Sequence, residues 1–308
     1  MKIIHLSDLH LDTLFKRGNI RKTRQLIEQA VEEGFDHLVI SGDVSDNGKV
    51  SDFKLLKKIL AKHNLLDSNK VTITIGNHDI FGGVQTALDV VNFTSKCRRV
   101  KYNDKVTRFG EHFKDLFAGA YHPLPESAFP FAKVVGEFVF VGINTNDIYS
   151  RIKNPLASTG KVYKDQFEAI EKILSLPEFV NKRRVIVSHH HFYKNSVEAT
   201  SSQSRIWNRI ESYTLRLRGK KKLIQLFVEH GVELVLHGHS HDVREYKRKG
   251  IQFVNAGGAI DNNSKFAKFI SVKFDRRGIS VKIKSLKTKP SLLRKYNKHK
   301  KLVPGYSL

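Results

Sequence analysis

Short runs of β-branched and other apolar residues recur along the chain, each breaking off into polar or glycine-rich sequence. They are KIIHLS at 2–7, HLVISGD at 37–43, VTITIGN at 71–77, FVFVGINT at 138–145, RVIVSH at 184–189 and VELVLHGH at 232–239. Runs of this length bounded by turn residues predict buried strands. Helical spacing lies between several of them. IRKTRQLIEQAVEEG sets Ile20, Leu26, Ile27, Ala30 and Val31 in helical register, and SDFKLLKKILAKH opens on Ser51 as a cap. KDQFEAIEKILSL and KKKLIQLFVEHG follow the same period. Alternating strands and helices predict a layered α/β fold. After position 250 the pattern changes to IQFVNAGG, KFISVKFD and GISVKIKSL, with DRRG as a turn, which predicts an antiparallel addition closing a second sheet.

Length and composition narrow the class. The 308 residues are 40% hydrophobic, with no internal repeat or low-complexity linker, so 1–286 reads as one domain. The last stretch, KTKPSLLRKYNKHKKLVPGYSL at 287–308, is Lys-rich with two prolines and reads as a basic tail. The start MKIIHLSDLH lacks the apolar core of a signal peptide, and no apolar run approaches the roughly 18 residues of a membrane span. The expectation is a soluble, cytoplasmic protein. Cys97 is the single cysteine, so any metal must be held by nitrogen and oxygen. Lys and Arg number 54 against 30 Asp and Glu, a net charge of +24 that favours anionic partners.

Candidate chemistry sits where the apolar runs stop. Asp8 and His10 follow the first, Asp43 the second, and Asn77, His78 and Asp79 the third; His189–His191 and then His237, His239 and His241 follow two later ones. In an α/β sheet the carboxyl ends of parallel strands share an edge, so residues far apart in sequence converge there. Carboxylate, imidazole and amide without thiolate suit first-row metal ions. One carboxylate can bridge two ions about 3.5 to 4 Å apart, a spacing that clamps phosphate. Taken singly each piece has a blander reading: a capping Asp beside a surface His, a turn at GNHD, a solvated His-rich loop. Their order and placement together favour the metal.

The series Asp8-x-His10, Gly42-Asp43, Gly76-Asn77-His78-Asp79, a His after a strand and Gly238-His239-x-His241 resembles the calcineurin-like metallophosphoesterase superfamily. The resemblance spans residues 1 to about 260. It implies a four-layer α/β/β/α sandwich of two mixed sheets flanked by helices. It implies two metal ions, Mn, Fe or Zn: one on Asp8, His10 and His241, a second on Asn77, His189 and His239, with Asp43 bridging. Metal-bound hydroxide would be the nucleophile, His78 would contact the phosphate and protonate the leaving oxygen, and Asp79 would orient His78. SHHHFY has Phe192 where relatives carry the proline that fixes register, so His190 stands as the alternative to His189. His5, His191 and His237 read as structural.

Substrate class is more open. The layout around GEFVFVGINT and STGKVYKDQFEAIEKIL resembles class III cyclic-nucleotide phosphodiesterases, so a nucleotide-type phosphodiester or pyrophosphate is the expectation. Alternatives are a UDP-diacylglucosamine-type pyrophosphatase of lipid A biosynthesis, a DNA nuclease, and a non-catalytic metal-stabilised nucleic-acid-binding protein. The segment SRIWNRIESYTLRLRGKKK at 204–222 reads as a basic amphipathic cap or insertion. With Ile206, Ile210, Tyr213 and Leu217 on one helical face between cations, it and the tail would suit an anionic membrane surface or lipid substrate, making the protein peripheral there. Aromatic residues among cations also suit nucleic acid.

Overall fold

The computed structural model describes residues 1–84, 86–193, 215–260, 265–276 and 278–288. Its first sheet is built from β1 (Lys2–Leu6), β2 (His37–Ser41) and β3 (Val71–Thr74), which run parallel, with β12 (Phe266–Asp275) and β13 (Gly278–Lys287) added antiparallel in the order β13-β12-β1-β2-β3. The second runs β10-β11-β9-β7-β5-β4: β5 (Phe138–Gly142), β7 (Arg183–Val187), β9 (Val232–His237) and β11 (Ile251–Asn255) are parallel, and β4 (Phe131–Val135) and β10 (Arg244–Arg248) are antiparallel edges. A small pair, β6 (Gly160–Lys161) with β8 (Leu217–Arg218), stands apart.

Side chains alternate across each strand, and both faces are covered, which is why these runs are apolar throughout. Leu38 and Ile40 of β2 pack toward the helices α1 (Arg17–Glu33) and α2 (Val50–Lys62), where Leu26, Ile27, Phe53 and Leu56 meet them. Val39, between them in sequence, turns to the opposite face and joins Ile3, Phe140, Val185, Leu234, Leu236 and Ile270 between the sheets. On the far side of the second sheet, α6 (Lys164–Leu174) and α7 (Lys220–Glu229) bury Ile170, Ile173, Leu223 and Phe227. The layers are therefore helix, sheet, sheet, helix, as expected.

Four details depart from the sequence reading. The β12–β13 hairpin joins the first sheet through β12 against β1, whereas β10 and β11 complete the second; the hydrophobic pattern shows that these are strands but not which free edge they take. Helix α2 starts one residue before Ser51, with Lys49 at the cap position and no side-chain cap bond. There Ser45 Oγ accepts from the Lys49 N–H (3.2 Å) and donates to buried Asp52 (2.8 Å). Two further helices, α4 (Ala87–Arg99) and α5 (Tyr102–His112), follow the short α3 (Asn77–Phe81). Within the expected 204–222 segment, positions up to 214 lie outside the described residues, as does the tail from 289; Leu217 and Arg218 are in β8 and Gly219 is left-handed (φ 76°), so a helix does not run through to 222. Among the described residues no helix is long and apolar enough to cross a membrane.

Lys133 fastens the two sheets at one edge. It lies in β4, is 5% exposed, and its ammonium donates to the carbonyls of Ser68 (2.7 Å) and Leu116 (3.2 Å) and, at closer range, to Val71 at the start of β3. Burial pushes its pKa down to about 7, against a smaller upward pull from Asp67. A lysine whose folded pKa is depressed weakens the fold while protonated. Between about 7 and its unfolded value the folded chain has released a proton that the unfolded chain keeps, so stability rises with pH. Wild type should therefore gain thermal stability relative to Lys133→Met between pH 6 and 9 in melting curves, and a constant difference would rule out a depressed pKa.

Candidate metal centre

The turns that leave β1, β2 and β9 toward the shared edge are held in an unusual backbone state. Eight described non-glycine residues have positive φ, and five of them are Asp8 (56°), His10 (42°), Asp43 (49°), His239 (76°) and His241 (54°). Left-handed backbone costs a residue with a Cβ about 1–3 kcal/mol and persists where surroundings enforce it, most often at functional sites. Backbone bonds do part of that here: Asp8 N–H donates to Gly42 O (3.2 Å), His10 N–H to Asp43 O (2.9 Å) and Leu11 N–H to Val44 O (2.8 Å). The loops after β1 and β2 thus run side by side.

Glycine makes the approach possible. A Cβ on Gly76 would stand 2.1 Å from Asp43 Oδ1, and one on Gly238 would stand 1.8 Å from Ser7 Oγ and 2.5 Å from Asp8 Oδ2. Neither glycine has positive φ, so space alone requires them.

Seven expected donors converge. Asp8, His10 and His241 form one group that could hold a metal ion, and Asp43, His189 and His239 another. In the first, His10 Nε2 is 3.2 Å from His241 Nε2, which is 3.6 Å from Asp8 Oδ1. In the second, His189 Nε2 is 3.1 Å from His239 Nδ1 and 3.1 Å from Asn77 Oδ1. Asp43 Oδ2 stands between them, 3.4 Å from His189 Nε2 and 3.8 Å from His10 Nε2, while Oδ1 accepts the His78 N–H (2.8 Å).

The outward nitrogens explain why this set fits cations. His189 Nδ1 donates to Ser41 O (2.9 Å) and His239 Nε2 to Ser158 O (3.0 Å), which leaves their facing nitrogens as bare lone pairs in neutral rings. His10 Nδ1 lies 3.1 Å from Asp46 Oδ1, which turns its Nε2 toward His241. Lone pairs opposed at 3.1–3.2 Å repel unless positive charge sits between them, and an imidazole whose far nitrogen is tied to an acceptor is the usual form of a metal ligand.

The same demand appears in the titration behaviour. Burial opposes a charged imidazole, yet Asp43 lifts His189 to about 9, and Asp43 with Asp46 lifts His78 to about 9. His10 and His239 go the other way, lowered first by burial and then by neighbouring imidazoles. Asp43 itself stays well below the usual range despite burial, because His189 and His78 surround it.

Two expectations about neighbours resolve differently. His190 uses both nitrogens inside the protein, Nδ1 with Thr145 Oγ1 (2.9 Å) and Nε2 with Ser158 O (3.2 Å), so His189 is the one facing the other donors. Asp79 does not serve His78: its carboxylate accepts the backbone N–H groups of Ser45 (2.8 Å), Gly76 (2.9 Å) and Val44 (3.3 Å), bracing the two strand ends, and burial together with Asp43 raises its pKa to about 7. The carboxylate beside His78 is Asp46, unremarked in the sequence reading though it stands three residues past Asp43. Its Oδ1 is 3.6 Å from His78 Nδ1, which lies 3.1 Å from the Asp46 carbonyl, and the same Oδ1 receives Lys16 Nζ (2.7 Å). His5 and His237 bond to Ser41 Oγ and the Tyr246 hydroxyl (both 2.8 Å), and His191 packs against Tyr193, as structural residues do.

Comparison with known proteins points the same way. The family described as calcineurin-like phosphoesterase matches residues 1–243. A relative named "Probable cyclic nucleotide phosphodiesterase" from Ruthia magnifica subsp. Calyptogena magnifica is 21% identical over 256 residues, 82% of this chain and 83% of its own. Among solved structures, a dimetal phosphatase from Danio rerio shares the fold with a TM-score of 0.58 at 14% identity, over 94% of this chain and 99% of that one. A purple acid phosphatase from yellow lupin (Lupinus luteus) seeds has a TM-score of 0.53 at 15% identity, over 93% of this chain and 51% of its own.

Gly238→Ala should displace Asp8 or the 238–241 turn and weaken metal retention about tenfold or more, the scale on which disturbed ligand positioning acts. Elemental analysis after dialysis reads this directly; unchanged metal content would show that the close approach of Gly238 to Asp8 is not needed.

Proposed function

The chain belongs to the calcineurin-like phosphoesterase family, and from that premise we propose that it holds two metal ions and hydrolyses a phosphodiester or pyrophosphate bond of a nucleotide-type substrate. Asp8, His10 and His241 would hold one ion and Asn77, His189 and His239 the other, with Asp43 shared. The observation that carries this reading is the pair of opposed imidazole contacts at 3.1–3.2 Å flanking a single buried carboxylate. Such ions supply Lewis acidity toward phosphoryl oxygens and make water a competent nucleophile near neutral pH.

The remaining work falls to side chains of this chain. His78 has no place in either donor group of the proposal. Its Nδ1 is anchored to Asp46, leaving Nε2 to carry a proton toward the departing oxygen. Its ring stands edge-on to His10 at 4.6 Å between centroids, so it borders the first group of donors. Asp46 orients both His10 and His78, and Lys16 offsets part of its buried charge. The nucleotide preference is supported by the relatives named as cyclic nucleotide phosphodiesterases, 21% and 20% identical over 82% of this chain. The lipid and nuclease alternatives draw on 204–222 and the tail, which fall mostly outside the described residues, and no observation at the site favours them.

His78→Ala separates proton donation from metal binding. It should retain both ions yet lose on the order of a hundred- to ten-thousand-fold in turnover on a cyclic nucleotide. The defect should be visibly smaller on bis(p-nitrophenyl) phosphate, whose leaving group departs with little help from a proton. Loss of a metal ion would make His78 a ligand, and full activity on both substrates would remove its role as acid.

A further inference from the structure

Beyond the metal centre, a cavity of about 420 Å³ opens between the end of α4 and the loop 148–151. Its volume falls within the range of small-molecule sites. Arg98 of α4 and Arg151 of the loop line it, with Ser150 and the half-buried Tyr102 and Tyr149, and Phe81 lies buried beneath. No lining residue carries a carboxylate. Among the described residues neither Arg98 nor Arg151 has an ion pair or a hydrogen-bonded partner, whereas adjacent Arg99 donates to Ser95 O (3.1 Å). Two permanent cations on one cavity without a counter-charge repel each other, and an oxyanion between them would relieve that.

The loop backbone and the Tyr102 wall are fixed before any ligand arrives. Ser150 and Asn154 exchange backbone bonds (3.0 and 3.3 Å), and Asn154 Nδ2 donates to Asp147 O (3.1 Å), which sets the loop. The Tyr102 hydroxyl donates to Asn146 O (2.8 Å) and accepts from Asn144 Nδ2 (2.9 Å), and Asn146 Nδ2 donates to Ile75 O (3.1 Å). Tyr102 is thereby locked, and preformed walls lower the ordering cost of binding.

We propose that this cavity binds a nucleoside monophosphate, its phosphate held by Arg98 and Arg151 and its base against the Tyr102 and Tyr149 side. Guanidinium forks match phosphate oxygens in geometry as well as charge, and aromatic surface accepts a heteroaromatic ring. The residues differ entirely from those of the metal centre, so occupancy needs neither metal nor turnover.

The test uses the full chain as Asp43→Asn in the presence of chelator, titrated with adenosine 5′-monophosphate by calorimetry. One equivalent should bind. Arg98→Ala and Arg151→Ala should each weaken binding on the order of tenfold, as expected for loss of a charge-assisted contact, and adenosine and inorganic phosphate alone should bind more weakly than the nucleotide. Both arginines are exposed, so the variants should fold. No binding by the metal-free protein, or equal binding by the double arginine variant, would overturn the proposal. Because no hydrolysis enters that titration, either failure leaves the phosphoesterase reading intact; with Asp43 restored and metal supplied, the double arginine variant should hydrolyse substrate like wild type.

Discussion

The strand ends answer to one electrostatic constraint: negative charge and bare imidazole lone pairs are concentrated where little water reaches them, with His241 at the exposed rim. Asp8 and Asp43 are at most 2% exposed, Asp46 and Asp79 are as deeply buried, and the facing nitrogens of His189 and His239 carry no proton when their rings are neutral. Buried charge without a partner is expensive enough that a fold either neutralises it or does not form that way. Bound cations would meet the demand, and without them protons on His78 and His189 do so in part. The left-handed turns and the glycines at 76 and 238 follow from bringing these groups together.

The constraint also explains the double-sheet architecture. The first sheet delivers Asp8, His10, Asp43 and Asn77, and the second delivers His189, His239 and His241. Each proposed ion draws ligands from both, so the distance between the sheets sets the distance between donors. That distance is fixed by Ile3, Val39, Phe140, Val185, Leu234 and Leu236, several of them within a few residues of a donor on the same strand. An interior at this packing density transmits small displacements, so core substitutions between the sheets should reach the chemistry.

Legibility in the sequence followed the range of the physics. Strands buried on both faces announce themselves locally, the rule that parallel strands end at one edge brought together the polar groups that follow them, and the family resemblance singled out Asp8, His10, Asp43, Asn77, His189, His239 and His241 among these. What failed was decided by contacts distant in sequence. The hairpin at 266–287 could have joined either sheet, and the register of β12 against β1 decides it. Helix α4 was missed because Leu88 and Val91 are 70% and 78% exposed and only Cys97 on it is buried, so no core-facing stripe marks it. Asp46 was legible in principle as a second carboxylate in GDVSD, but its partners lie 36, 32 and 30 residues away at His10, His78 and Lys16. Asp79, adjacent to His78 in sequence, points instead at the backbone of the loop after β2.

The most direct measurement is a calorimetric titration of metal-free protein with Mn²⁺, alongside Asp43→Asn. Opposed donor pairs sharing one carboxylate predict two ions per wild-type chain, and weaker binding of both in the variant because both lose the negative charge of the same carboxylate. A single ion per wild-type chain, or a variant that loses one ion while holding the other at full affinity, would contradict a centre built around Asp43.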